Sequence, residues 1–175
     1  ANEVAYDLML ENNGTAILMH AATGYADCNS NAVHAMLTHP LSVFGLSDAG
    51  AHCRFICDGG VHTSMLMNWS RDLSPDHPHF LPLECVVQKM TGDNARLYGL
   101  SDRGILQPGL RADVNLIDLA NLQSLTPEMV FDLPADQPRL LGRATGYVGT
   151  WVNGERVLNN GEITDARPGR VIRGS

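Results

Sequence analysis

Three side chains that can do acid-base or metal chemistry occur in one short stretch rich in small residues. The stretch GLSDAGAHCRFICDGG, from Gly45 to Gly60, carries Asp48, His52 and Asp58. A carboxylate can bind a divalent metal or take a proton from an attacking water, and a histidine titrates near neutral pH. The spacing leaves two interpretations of Asp48 level, a catalytic group or a cap on the next helical turn. Asp58 is a weaker candidate because the two glycines after it are typical of a turn.

The other cysteines and histidines give weaker signals. Cys53 and Cys57 form a C-x3-C pair with no companion pair, so we interpret them as packing thiols rather than a zinc site. An H-x-H pair on a strand presents two imidazoles to one metal, since alternate residues share a face. His77 and His79, however, straddle a proline in a proline-rich loop, which favours a polar connector. His20 ends a predicted strand, and we expect it at the same sheet edge as Asp48.

The composition bounds the class of protein. The chain has 175 residues, 44% of them hydrophobic, and a formal net charge of -7. This length suffices for one core or two small lobes, and the acidic balance argues against a nucleic-acid partner. No apolar run is long enough to cross a membrane and no signal peptide is visible, so we expect a cytoplasmic protein. The start in mid-pattern predicts a fragment or processed chain, and neither a G-x-S-x-G elbow nor a phosphate loop occurs.

The elements that must position Asp48 form a strand-helix-strand pattern. Short apolar runs predict buried strands over Thr15–His20 and over residues 41–48, and between them a helix begins near Ser30 and ends before Pro40. This order is typical of a βαβ unit with two parallel strands. Asp48 ends the second strand, at the edge where α/β proteins place their active sites.

The character of the chain changes near residue 100. Before it, helical patterns cover residues 61–73 and 81–100, with Gly99 as a predicted C′ cap. After it, a strand is predicted over Val114–Ile117, and Asn153-Gly154 between two β-rich runs indicates a hairpin. We therefore predict two parts, residues 1–100 and residues 101–175.

The order of these motifs resembles that of a known family. HPLSVFGLSDAGAH, then the segment GLSDRGILQPGLRADVNLID, then VNGERVLNNGEITDARPGRVIRG together resemble the C-terminal portion of the amidohydrolase superfamily. The SDAGAH segment and the terminal PGRVIR segment are similar to those of the N-acyl-D-amino-acid deacylase branch.

This resemblance implies a fold and an activity. The fold would be α/β, the last βα units of a (β/α)8 barrel followed by the C-terminal part of a small β-sandwich. The activity would be zinc-dependent hydrolysis of N-acyl amino acids, with Asp48 contacting the metal and acting as general base and acid, and with His52 beside the substrate. Zinc suits amide hydrolysis because it can lower the pKa of water to about 7.

One carboxylate does not make a zinc site, which normally takes at least three protein ligands. We therefore expect the other ligands outside this chain, and we expect the isolated chain to be inactive and to form homo-oligomers through exposed strand edges. Two alternatives stay open: a non-catalytic assembly or binding module, and a hydantoinase-like hydrolase of cyclic amides.

Overall fold

A computed structural model describes residues 2–14, 16–18, 25, 27–45 and 47–172. The chain divides into two compact units, Ala1–Ser42 and Val43–Ser175. The predicted border near residue 100 between a barrel part and a sandwich part stays a prediction. Within the described ranges, no helix combines the length and the apolar character that a membrane crossing requires.

Among its described residues, the first unit has two helices. Helix α1 spans Asn2–Gly14, and its side chains are almost entirely exposed. Its helical conformation breaks near its end, because Asn12 and Asn13 adopt φ of 52° and 60°. Helix α2 spans Asn31–Thr38, with Ser30 at the N-cap position and its end before Pro40. The helix predicted between Ser30 and Pro40 is confirmed.

The two parallel strands predicted in this region are a different matter. Residues 16–18, 41–45 and 47–48 lie in no strand, so the strand prediction is wrong over these positions. Residues 15, 19, 20 and 46, which complete the two predicted runs and include His20, lie outside the described residues. A strand requires a hydrogen-bonded neighbour, and no strand precedes Val114 in the part of the chain that the structure describes.

The second unit opens with helical segments. They are α3 (Val61–Leu66), a π-helical turn (Met67–Arg71), α4 (Leu83–Met90) and α5 (Gly92–Leu97). Met65, Leu66 and Val86 are buried and form part of the core. Gly99 adopts φ of 69° after α5, as a C′ cap requires, and its N–H donates to the carbonyl of Arg96. The helices predicted over 61–73 and 81–100 are confirmed.

The rest of the second unit is antiparallel β-structure. Its strands are β1 (Val114–Ile117), β2 (Gln123–Ser124), β3 (Glu128–Leu133), β4 (Gln137–Leu141), β5 (Ala144–Thr145), β6 (Tyr147–Val152), β7 (Glu155–Asn159) and β8 (Glu162–Ile163). One sheet has the order β1-β6-β7-β8, and β2-β5 and β3-β4 form two separate pairs. The strand predicted over Val114–Ile117 and the hairpin predicted at Asn153-Gly154 are confirmed. Asn153 and Gly154 join β6 to β7 with φ of 53° and 80°, and a type I′ turn needs positive φ at both.

Helix and sheet meet at the π-helical turn. The Arg71 guanidinium donates hydrogen bonds to the backbone carbonyls of Leu119 and Leu122 in the loop between β1 and β2. Leu122 itself is completely buried. Residues 61–71, which directly follow the Gly45–Gly60 stretch, are therefore fixed against the β-structure, and this sets where that stretch ends.

Candidate active site

The described residues of the Gly45–Gly60 stretch, 45 and 47–60, form a loop between buried Phe44 and helix α3. The Asn94 side chain donates a hydrogen bond of 2.9 Å to the Phe44 carbonyl, and the Lys89 ammonium lies 5.5 Å from the centre of the Phe44 ring. Phe44 is only 6% exposed. Helices α4 and α5 therefore fix the chain just before the loop begins.

Asp48 is exposed, and its backbone is more constrained than its side chain. Its N–H donates to Asp58 Oδ2 over 3.1 Å, and its carbonyl accepts the N–H of Ala51 in a turn. The Asp48 carboxylate accepts no hydrogen bond from any described residue, so the interpretation of Asp48 as a helix cap finds no support in the contacts of this loop. Its oxygens face solvent and are accessible to a water, a metal or a substrate.

His52 lies in the middle of the loop on its exposed side. It adopts φ of 47°, which is uncommon for a residue with a side chain, and its ring stacks on Phe55 with centroids 5.2 Å apart. Phe55 is itself 70% exposed. No hydrogen bond or ion pair joins His52 to Asp48 among the described contacts, so the structure places both in one loop without linking their side chains.

Arg54 is a further functional candidate in this loop, which the sequence motifs do not single out. It is the only Lys or Arg between Gly45 and Gly60. Its guanidinium is exposed, and its one described partner is Gln137 Oε1 at 3.5 Å, a long and neutral contact. A single cation in the same loop as a predicted catalytic carboxylate is a signal for an anionic ligand, and this signal is visible in the sequence.

The possible metal ligands do not come together. The described residues contain no group of three or more His, Cys, Asp or Glu side chains that could hold a metal ion. The rings of His77 and His79 lie 5.4 Å apart edge to face, and the His79 N–H donates to His77 Nδ1. Cys53 and Cys57 are free thiols of intermediate exposure. Asp48 can supply one ligand, and the described residues do not fit a complete metal site.

A cavity of about 500 Å³ lies elsewhere, in the β-structure. It includes no residue of the Gly45–Gly60 loop, and its polar lining consists mainly of Asp118, Asn121, Thr145, Tyr147 and Asn160. The Asn121 side chain donates to the Asp118 carboxylate over 2.7 Å and holds the pKa of Asp118 below its usual value. This bond ties together the turn after β1, so the carboxylate has a local structural role there.

Comparison with known protein families gives a match that includes the Gly45–Gly60 loop. A model of the amidohydrolase family matches residues 14–158, which include the whole Asp48 loop. The chain belongs to the amidohydrolase family. The family predicted from the sequence motifs is thereby confirmed.

The chain is similar to two curated proteins, a deacylase and an aminoacylase. The chain is 33% identical to an N-acyl-D-aspartate deacylase of Alcaligenes xylosoxydans xylosoxydans over 98% of its own length and 32% of the relative's. It is 34% identical to a D-aminoacylase of the same organism over 65% of its own length and 20% of the relative's. The chain thus spans about a third of the first relative and a fifth of the second.

A solved structure of D-aminoacylase is also similar to the chain. That structure concerns the functional role of its binuclear metal centre. The sequence identity is 31%, the match covers 60% of this chain and 19% of that one, and the TM-score is 0.44.

Proposed function

We propose that this chain is the C-terminal portion of a metal-dependent amidohydrolase that cleaves the amide bond of N-acyl-D-amino acids or related amides. The observation that carries the proposal is the 33% identity to an N-acyl-D-aspartate deacylase over 98% of the chain, including the Asp48 loop. The geometry supports it, because Asp48 is exposed on a backbone that hydrogen bonds fix.

In this proposal Asp48 is the general base and then the general acid. Its carboxylate takes a proton from the water that attacks the amide carbonyl, and it returns that proton to the amine as the C–N bond breaks. The products are a carboxylic acid and a free amino acid, so the atoms of one water are fully used. Asp48 suits this role because no described residue occupies its oxygens.

Arg54 supplies the charge that such a substrate needs. An N-acyl amino acid carries a free carboxylate, and an arginine can bind a carboxylate through two parallel hydrogen bonds. Arg54 is exposed in the same loop as Asp48, with a long contact to Gln137 as its only described bond. We assign to it recognition of the substrate carboxylate, and to His52 a contact with the substrate beside it.

The metal requires ligands beyond those described. We propose Asp48 as one ligand of a divalent metal, zinc by the resemblance given above, and the remaining ligands on parts of the protein outside this chain. It follows that the isolated chain is inactive. The same proposal includes the C-terminal part of a (β/α)8 barrel in residues 1–100, the C-terminal part of a small β-sandwich in residues 101–175, a cytoplasmic location and a homo-oligomer.

The deciding experiment is Asp48→Asn in the full-length protein, assayed on N-acetyl-D-aspartate and other N-acyl-D-amino acids. We expect kcat to fall by about a thousandfold or more, since removing a general base alone costs about 10²–10⁴. Asp76→Asn, an exposed aspartate in a turn outside the Gly45–Gly60 stretch, is the matched control and should keep wild-type turnover. Near-normal turnover of the Asp48 variant would overturn the assignment, and turnover of cyclic amides alone would favour the hydantoinase-like alternative.

A further inference from the structure

Asp58 is the only described side chain that bonds to the backbone of Asp48. Its Oδ2 accepts the Asp48 N–H over 3.1 Å, across a sequence separation of ten residues. A bond to the main chain fixes where Asp48 lies and leaves its carboxylate unoccupied. Asp58 therefore acts on the position of Asp48 and makes no described contact with the Asp48 carboxylate.

Asp58 is itself held at the start of helix α3. Its carbonyl accepts the N–H of Val61, the first residue of α3, over 3.1 Å. Thr63 and Met65 of that helix are 4% and 7% exposed, so the helix is seated in the core of the second unit. The Asp58 carboxylate is thus presented to Asp48 from a turn that is hydrogen-bonded to the first residue of this buried helix.

The middle of the loop is held by β4. Strand β4 pairs with β3 on one side only, which leaves N–H groups on its other edge without a strand partner. One of these, the N–H of Leu140, donates to the carbonyl of Cys53 over 2.8 Å. Next to it, Cys57 Sγ lies 3.2 Å from the point where a Cβ on Gly142 would stand. The loop therefore packs closely along β4 just before Asp58.

We propose that Asp58 is the positioning residue for Asp48, and that β4 holds the intervening segment Cys53–Cys57 so that the Asp48–Asp58 bond can form. This inference rests on the proposed function for its effect on turnover. It adds a residue and a surface that act on the chemistry through the backbone of Asp48, and it assigns the β3–β4 hairpin a role in the site.

The first test compares Asp58→Asn with Asp58→Ala in the full-length protein. Asparagine keeps an oxygen that can accept the Asp48 N–H, so Asp58→Asn should retain kcat within about threefold, whereas Asp58→Ala should lower kcat about 10- to 100-fold, the usual cost of a small misplacement. KM should change little in both. Equal inactivity of the two variants would overturn the proposal, because the Asp58 charge would then act in the chemistry, and so would full activity of Asp58→Ala.

The second test uses the contact between Gly142 and Cys57. Gly142 has an ordinary φ, so Gly142→Ala is strained only by Cys57 Sγ, and it should lower kcat. Adding Cys57→Ala removes the sulfur and should restore kcat to the wild-type level. Gly169→Ala, where a Cβ would meet nothing within 4 Å, is the matched control and should have no effect. Failure of the second substitution to restore turnover would overturn the role of β4.

A physical readout separates this inference from the proposed function. Amide hydrogen exchange of the peptide covering residues 45–60 needs no substrate. Exchange should rise in Asp58→Ala and stay at the wild-type level in Asp58→Asn. If the wild-type protein lacks hydrolase activity but shows this exchange pattern, the proposed function fails and the positioning role stands. An unchanged exchange rate in Asp58→Ala removes the positioning role whatever the activity.

Discussion

The hydroxyls of Thr63 and Tyr147 lie 2.8 Å apart and share a hydrogen bond between helix α3 and strand β6. Thr63 is 4% exposed and lies three residues after Gly60, where the Asp48 loop ends. The pair therefore joins the end of the candidate active-site loop to the main sheet. Removal of the Tyr147 hydroxyl leaves the buried hydroxyl of Thr63 without its described partner.

We expect Tyr147→Phe to lower the free energy of unfolding by about 1–3 kcal/mol, the usual cost of an unsatisfied buried polar group. Urea denaturation of the protein measures this value. Tyr98→Phe is the matched control, because Tyr98 is 70% exposed and should change the stability by less than about 0.5 kcal/mol. Equal effects of the two substitutions would show that the Thr63 bond contributes nothing.

Gly146 has no room for a side chain. A Cβ there would stand 2.6 Å from the Cα of Leu122, and the residue adopts φ of 90°. Gly161 has a similar φ of 86° but meets nothing within 4 Å. Gly161→Ala should therefore cost only the left-handed conformation, about 1–2 kcal/mol.

Gly146→Ala carries the same conformational cost plus the clash with backbone, about 1–3 kcal/mol more. The difference between the two variants isolates the contact with Leu122, because the strain in φ is common to both. Thermal and urea unfolding of both proteins check it. Indistinguishable stabilities would mean that the loop at Leu122 yields without cost.

Local signals allowed much of this fold to be predicted from the sequence. The strand Val114–Ile117, the hairpin at Asn153-Gly154 and the cap at Gly99 each depend on residues within a few positions of one another. The parallel strands failed over the described positions because a buried strand depends on a neighbour, and an apolar run such as residues 41–44 does not say whether that neighbour exists. These residues are apolar, as their sequence shows, but they do not pair with a neighbouring strand over the described positions.

The candidate site shows the same division. The sequence indicates Asp48 and His52 as residues able to do chemistry, because residue type and loop composition are local properties. It does not indicate that the Leu140 N–H holds the Cys53 carbonyl, since that bond joins positions far apart in the chain. Arg54 could have been found, because its isolation among uncharged and acidic neighbours is visible in the sequence alone.

The β3–β4 hairpin should lose stability in acid. Arg139 donates two hydrogen bonds of 2.6 Å to the Asp132 carboxylate, and this hydrogen bonding lowers the pKa of Asp132. Because the pKa is lower in the folded state, the contribution to stability is present above the unfolded value of about 3.9 and is lost as pH falls through the folded pKa.

Asp132→Asn should therefore lower the melting temperature at pH 7, and the difference from wild type should shrink as the pH falls below about 3.9 and through the folded pKa. Melting curves of wild type and variant across this range measure the difference, which should also shrink in high salt because the pair is partly exposed. Asp165→Asn, an exposed aspartate with no ion pair among the described contacts, should leave the melting temperature unchanged at both pH values. A difference between wild type and Asp132→Asn that stays constant with pH would rule out the ion pair as its source.

Arg54 makes the substrate prediction most specific, because it separates charge recognition from catalysis. In the full-length amidohydrolase, Arg54→Gln should raise KM for N-acyl-D-amino acids about tenfold, the equivalent of one charged hydrogen bond lost, while kcat falls less. Arg54→Lys keeps the charge but not the planar fork, so its KM should lie between those of wild type and Arg54→Gln. The same substrates with the carboxylate converted to a neutral amide should show no difference between wild type and Arg54→Gln. Equal losses on charged and neutral substrates would mean that Arg54 supports the loop through Gln137 rather than binding the carboxylate. Arg170→Gln, which removes an exposed cation outside the loop, is the control for the change in net charge.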